Sequence, residues 1–398
     1  MTTSLIIGDI HLGAGLNLGR PGIGSRYNSR VSDQVNLLEW ITSVAEENYV
    51  HDVILTGDIF EDVKPDYVLV NIFLEFLNKL RALNIETHVI MGNHDLSRMG
   101  SYYSSVLDFI SSSEIPLVHF YKNIETLNYK GVSYTFAPFR DRLSLEVGTL
   151  GEAINKVQKV LGYETIFIPE ENVKVLIGHL ALKGSMPVGD ELGDEINEIM
   201  CPMSLFEEYD YVWMGHVHKP QVLNKTPRIA HIGSLDISDF GETDHKKIVV
   251  LFNPTWDEKF KEIEVPSRPL RRLRVDIPDN VDATSFLIEK IDEEHKNTNL
   301  KSSYTKLEIK YLSPDIPGVD RKRIAEYLKK LKVFHISGFA ETRAPAKLIV
   351  NQAVLKDDIL PKDAIPAIAK TLGISKKKEK DFNEYAFQIL AKYNLKKK

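Results

Sequence analysis

Five times along the chain, a short apolar run ends at a glycine followed at once by aspartate, asparagine or histidine. The runs are Ser4–Ile7, Val53–Leu55, Thr87–Met91, Val173–Ile177 and Tyr211–Met214, rich in the β-branched and aromatic residues that favour strands. The bends are Gly8-Asp9-Ile10-His11, Gly57-Asp58, Gly92-Asn93-His94-Asp95, Gly178-His179 and Gly215-His216-Val217-His218. Between the runs lie Val31–Glu47 and Asp66–Leu83, whose apolar residues recur at the three- and four-residue spacing of a helix. Strands apolar throughout and alternating with helices are buried on both faces, which predicts an α/β sandwich. Two stretches read as hairpins, Glu125–Tyr129 with Val132–Phe136 and Arg228–Ile232 with Lys246–Phe252, so the sheet is expected to be mixed.

Ligands of α/β sheets gather at the carboxyl ends of strands, where all of these bends fall. The side chains delivered there are carboxylate, imidazole and amide, a set that suits Mn, Fe, Zn or Mg. A thiolate site is excluded, since the sequence holds one cysteine, Cys201. Asp9, His11, Asp58, Asn93, His179, His216 and His218 make seven candidate ligands. One ion takes about four to six, whereas two ions sharing a carboxylate take about seven plus water, the arrangement that clamps both oxygens of an in-line phosphoryl displacement. His94 is left over beside Asn93 and is the candidate general acid, with Asp95 placed to fix its orientation. His51, His88, His119, His231, His245, His295 and His335 are assigned to the surface or to satisfied pockets.

Composition shifts at Pro266-Ser-Arg-Pro-Leu270, which reads as a linker. A strand (Leu273–Ile277), helix (Ala283–His295), strand (Tyr304–Tyr311), helix (Arg321–Lys332) and strand (Phe334–Ile336) are expected after it, a small α+β unit. The expected division is 1–265, 266–343 and a tail, 344–398. Residues 376–398 carry eight lysines against three acids around an amphipathic stretch, Phe382–Tyr393. The charge run favours a solvated helix over one docked in a partner's groove. No apolar run approaches the roughly 18 residues of a membrane span, and no basic segment precedes the first strand, so a soluble cytoplasmic protein is expected. The net charge of −6 rules out a nucleic-acid polycation, and any contact with DNA must be local. No Gly-x-x-x-x-Gly-Lys-Ser/Thr occurs, so ATP is not expected as this chain's own ligand.

The order Asp-x-His, Gly-Asp, Gly-Asn-His-Asp, Gly-His, Gly-His-x-His resembles that of the calcineurin-like metallophosphoesterases, over residues 1 to about 255. The resemblance implies a four-layer sandwich of mixed sheets flanked by helices, with a smaller α+β capping domain and a helical C-terminal tail. It implies a first ion on Asp9, His11, Asp58 and His218, a second on Asp58, Asn93, His179 and His216, and His94 at the leaving group. Gly57-Asp58-Ile59-Phe60 lacks the Arg-Gly of the family's protein phosphatases and is similar to the SbcD-type nucleases. So are Ile232-Gly233-Ser234-Leu235, the Phe240-Gly241-Glu242 and Lys246-Lys247 that follow it, and the entry Ser267-Arg268-Pro269-Leu270. That branch implies a DNA exonuclease and endonuclease of repair and recombination. It also implies two Mn2+ ions, with Mg2+ or another divalent metal as substitutes, a homodimer, and an SbcC-type ABC ATPase bound through 344–398. The family usually places a histidine three residues after the bridging aspartate, where this chain has Glu61. In the family layout, loop 12–30, with Arg20, Arg26, Arg30 and no acids, would touch the DNA backbone, and the acidic stretch Val188–Glu198 would lie on the rim. A phosphodiesterase for small molecules is the competing expectation.

Overall fold

Asn28 and Asp66 start the first two long helices, each side chain accepting a hydrogen bond from the main-chain amide two residues on (2.9 and 2.8 Å). The helices are α1 (Ser29–Glu47) and α2 (Tyr67–Ala82). The computed structural model describes residues 2–22, 26–99, 102–186, 198–344, 365–366, 368–369, 374 and 376–392.

Strands β1 (Ser4–Ile7), β2 (Asp52–Leu55) and β3 (Glu86–Ile90) run parallel. The short pair β4 (Ser97–Met99) and β5 (Tyr102–Ser104) precedes α3 (Val106–Ser111). Next come β6 (Val118–Tyr121), the hairpin β7 (Glu125–Tyr129) and β8 (Val132–Ala137), and α4 (Leu150–Thr165) with its Thr149–Glu152 capping box. Strands β9 (Val173–Gly178), β10 (Tyr211–Met214), β11 (Gln221–Lys225), β12 (Arg228–His231), β13 (Ile248–Phe252) and β14 (Phe260–Glu264) follow. They build two mixed six-stranded sheets, ordered β14-β13-β1-β2-β3-β6 and β11-β12-β10-β9-β8-β7.

Period-two alternation sorts the strand residues between layers. Leu5, Ile7, Val53 and Leu55 point to the core beneath α1 and α2, while Ile6 and Ile54 point to the core between the sheets and meet Phe136, Ile177 and Trp213 there. Leu176 and Met214 share the third core with Ala153, Val157 and Leu161 of α4. Each of the larger aliphatic and aromatic side chains contributes about 1.5–3 kcal/mol on burial. This is the expected four-layer sandwich.

The hairpin expected between Arg228–Ile232 and Lys246–Phe252 does not form. β12 pairs with β10 and β11, whereas β13 pairs with β1 and β14 in the other sheet. The chain between them crosses from sheet to sheet and carries Gly233, Ser234 and Glu242 past the strand ends.

Beyond β14 lie β15 (Leu270–Ile277), α5 (Ala283–Thr298), β16 (Tyr304–Tyr311), α6 (Arg321–Lys330) and β17 (His335–Arg343), with the strands in sheet order β15-β16-β17. A last helix, α7 (Lys376–Lys392), includes most of the amphipathic stretch. By contacts the chain divides into a larger unit, Met1–Arg274 with Ile288–Glu308 and Asp320–Ala340, and a smaller one, Val275–Leu287 with Ile309–Val319 and Glu341–Lys398. Within the larger unit, the Arg268 guanidinium of the presumed linker is fastened to Asp33 of α1 at 2.8–3.0 Å, and the Tyr304 hydroxyl donates to the same carboxylate at 2.9 Å. No helix among the described residues is long and apolar enough to cross a membrane.

Candidate metal centre

The ends of β1, β2, β3, β9 and β10 deliver their side-chain groups into one buried centre. The turns are tight enough that His11 (φ 48°), Asp58 (φ 47°) and His216 (φ 78°) all lie in the left-handed region. Such backbone costs on the order of 1–3 kcal/mol per residue and persists only where the surroundings impose it. Gly92 permits the close approach of the β3 end to the β2 end: a Cβ there would stand 2.0 Å from Asp58 Oδ1.

Asp9, Asp58 and His179 are buried to within 1% of full burial, and His11 and His216 are nearly so. Asp9, His11 and His218 offer ligand atoms within 4.8 Å of one another, as do Asp9, Asp58 and His179. Asn93 Oδ1 joins the second group, 2.9 Å from His179 Nε2 and 3.0 Å from His216 Nδ1. Asp58 Oδ2 stands between the groups, 3.2 Å from His179 Nε2 and 3.6 Å from His11 Nε2. The other Asp58 oxygen accepts the His94 amide at 2.8 Å, and Asp9 Oδ2 accepts the His216 amide at 2.8 Å. The sequence-derived set of seven is thus gathered at one place.

Each imidazole is gripped on its far side. His179 Nδ1 donates to the Thr56 carbonyl (2.7 Å) and His218 Nδ1 to Glu242 (2.9 Å), while His11 Nδ1 lies 2.8 Å from the Glu61 carboxylate and His216 Nε2 pairs with Glu198. Those partners fix the tautomers and leave the inner nitrogens as lone pairs. His11 Nε2 and His218 Nε2 then face each other at 3.0 Å, and two imidazole lone pairs face the Asn93 oxygen. Acceptors aimed at acceptors repel unless a cation or a proton stands among them. The donor set therefore fits divalent ions of the Mn, Zn or Mg class.

The titration pattern agrees. Burial would raise the Asp58 carboxyl, but His179 and His11 hold it far below the usual carboxylate range. Burial would lower His179, but Asp58 and Asp9 push it up to about 9. For Asp9, burial wins and the carboxyl is raised.

His94 lies beside this centre. Its Nδ1 bonds the Glu61 carbonyl at 2.7 Å, so a main-chain oxygen orients the ring. The expectation that Asp95 does so is corrected: its carboxylate is turned to the amides of Gly92 (2.9 Å), Ile59 (3.0 Å) and Phe60 (3.4 Å), knitting the β2 and β3 loops together. Burial, with Asp58 nearby, pushes Asp95 up to about 7. Arg30 is also corrected. It is fully buried, and its guanidinium donates to Asp236 and to the Ile237 carbonyl, both at 2.7 Å, so it offers nothing to DNA. Arg20, over the Phe334 ring at 4.3 Å, and Arg26 remain exposed. Sequence reasoning missed the gripping carboxylates, Glu61, Glu198 and Glu242. Glu61 stands out in the sequence only as a departure, and Glu198 falls in the stretch expected on the rim, of which it alone is among the described residues. Buried Lys247 completes the support, its ammonium on Glu242 and Ser234 Oγ at 2.6 Å each and on the His218 carbonyl at 3.0 Å.

The family profile described as calcineurin-like phosphoesterase matches residues 2–220, more than half of the chain. The SbcD subunit of the nuclease SbcCD from Staphylococcus saprophyticus is 26% identical over 322 residues, covering 77% of each chain. Its namesake from Staphylococcus epidermidis is 24% identical over 277 residues, 67% of this chain and 71% of its own. Among solved structures, a dimetal phosphatase from Danio rerio overlaps 66% of this chain and 98% of its own at 11% identity, with a TM-score of 0.38.

Proposed function

The chain belongs to the calcineurin-like phosphoesterases, a family of metal-dependent hydrolases, and from that premise we propose that it is a two-metal DNA nuclease serving as the nuclease subunit of an SbcC–SbcD-type complex. The observation that carries the proposal is the pair of ligand groups meeting at Asp58, with His94 beside them. Asp9, His11, Asp58 and His218 would hold one ion, and Asp58, Asn93, His179 and His216 the other. Two ions so placed would supply Lewis-acid stabilisation of the phosphoryl oxygens and an activated water.

The chain's own residues do the rest. Glu61, Glu198, Glu242 and the Thr56 carbonyl keep the imidazoles aimed inward. His94 holds a proton for the leaving alkoxide: burial opposes charge on it, but Asp58 and the Glu61 carbonyl outweigh that and raise its pKa. Its Nδ1 is committed to Glu61, so Nε2 is the donor. Arg20 and Arg26 supply sequence-independent phosphate contacts.

DNA as substrate rests on the likeness to the staphylococcal SbcD proteins, named as parts of a nuclease, which covers most of both chains. The SbcC-type partner, Mn2+ as the working ion and a homodimer are proposed on the same ground. The test is a nuclease assay on linear DNA with purified protein and titrated Mn2+. Degradation that depends on the ion is expected. Hydrolysis of a chromogenic phosphodiester without any attack on DNA would transfer the site to a small-molecule phosphodiesterase.

A further inference from the structure

A second group of metal-competent side chains lies at the opposite end of the first sheet, built from residues that the proposed reaction does not use. Asp52 is the first residue of β2 and Glu86 the first of β3, and the two are register partners; His88 pairs in register with His119 of β6. Glu86 and His88 are two apart on one strand, so all four side chains share one face of the sheet. The active-site glycines follow the other ends of the same strands, roughly 15 Å away.

Distances distinguish this cluster from ordinary ion pairs. His88 Nε2 stands 3.9 Å from Asp52 Oδ1 and 3.8 Å from Glu86 Oε2. His119 Nε2 is 3.5 Å from the same Glu86 oxygen. Elsewhere in this molecule imidazole and carboxylate close to 2.8 and 2.9 Å, at His11–Glu61 and His218–Glu242. Here His88 stands off from both carboxylates beyond hydrogen-bond length. Ligands bonded at about 2.0–2.1 Å to a tetrahedral ion stand roughly 3.4 Å apart, so His88 Nε2, at 3.8 and 3.9 Å, needs only to close by about half an ångström around an ion.

The surroundings hold the donors in that stance. Ser4 Oγ donates to Asp52 Oδ2 at 3.1 Å, leaving Oδ1 turned to His88. His88 Nδ1 bonds the Tyr121 hydroxyl at 2.8 Å, and its ring stacks between His119 and Phe136 (centroids 5.0 and 5.4 Å). Asp52 and His88 are buried, with 5% and 3% exposure. Two carboxylates directly opposite on neighbouring strands repel, a penalty a bound cation would reverse.

We propose that Asp52 Oδ1, Glu86 Oε2 and His88 Nε2 form a third divalent-cation site, of the zinc class, that clamps the amino-terminal ends of β2 and β3, with a fourth position open beside His119. The oxygen- and nitrogen-donor set with three protein ligands fits zinc or a neighbouring first-row ion. The site stands independently of the nuclease proposal.

The experiment loads the full chain with Zn2+, dialyses it and counts bound ions by elemental mass spectrometry, for wild type, Glu86→Ala and His88→Gln. Glu86 is on the surface rim, so Glu86→Ala is readable even if the buried substitution prevents folding. One ion fewer per chain is expected in each folded variant, with metal-dependent phosphodiester hydrolysis within twofold of wild type. An anomalous peak at the zinc edge among the three donor atoms is expected in crystals. Wild-type zinc content in Glu86→Ala, or the absence of that peak, overturns the proposal.

Discussion

A carboxylate on the far nitrogen of an imidazole raises its basicity and fixes its direction, so the gripping residues here are part of the centre although they touch no substrate. Glu61 is the most accessible of them, with 40% side-chain exposure, and replacing it disturbs little else. Glu61→Ala is expected to weaken, by about 10–100-fold, the binding of the ion proposed on His11. Activity would return at higher Mn2+, and a metal titration of the rate reads this; an unshifted midpoint would remove Glu61 from the centre. His94→Ala carries a different expectation: a loss of about 10²–10⁴ in rate with bound metal unchanged. The sign of the pH effect follows from its raised pKa. The proton to be donated is present below that pKa and lost as pH rises through it, so the rate should fall on the alkaline side. That alkaline limb should vanish in His94→Ala; a limb that survives would assign the acid to another group.

At the scale of elements, the centre depends on how closely the strand ends approach. Gly92→Ala would press a methyl group against the Asp58 carboxylate, so the β2 and β3 loops must part. A fall of at least about 100-fold in activity, with the circular dichroism of the fold retained, is expected, since misplacing a catalytic group by about 1 Å has that effect. Activity within tenfold of wild type would mean the loops yield without disturbing the ion. In loop 12–30, Arg20→Ala and Arg26→Ala should each flatten the dependence of DNA affinity on salt by about one unit of slope, as one phosphate contact is lost. Arg30 should not behave this way, because removing it leaves Asp236 without its cation and costs stability instead. These distinctions mark where the sequence was legible. Apolar runs ending in glycine located β1, β2, β3, β9 and β10 to within a residue or two, because a doubly buried strand has a composition of its own. Partners were not legible in the same way. A strand such as β13 is equally apolar whichever sheet it enters, and the inward turn of Arg30 depends on Asp236, some two hundred residues away.

For the whole molecule, the legible part was the set of candidate ligands, whose residues follow strand ends in fixed order, while its supports come from loops distant in sequence. Glu198 lies outside any motif, and Glu242 stands in the sequence only as part of the Phe240-Gly241-Glu242 stretch, with nothing in its spacing to mark it as a support. The tail, residues 344–398, ends the chain beyond the small α+β unit. Its helix, α7, carries five lysines against three acids and exposes Tyr385 and Phe387, with 67% and 38% accessibility. Lysines alone would leave it a solvated helix, but two exposed aromatic side chains are apolar surface that a partner can cover. Deleting residues 344–398 is therefore expected to leave metal-dependent DNA cleavage by the isolated chain while abolishing co-purification with an SbcC-type ATPase. The two readouts separate two failures: lost cleavage would mean the tail belongs to the catalytic fold, and retained association would return α7 to a solvated helix and place the partner's binding surface elsewhere. Tyr385→Ala with Phe387→Ala in the full chain sharpens the test, since it removes the apolar contacts but keeps every lysine. Loss of association in that variant, undiminished by low salt, would identify apolar burial rather than charge as the force that holds the partner.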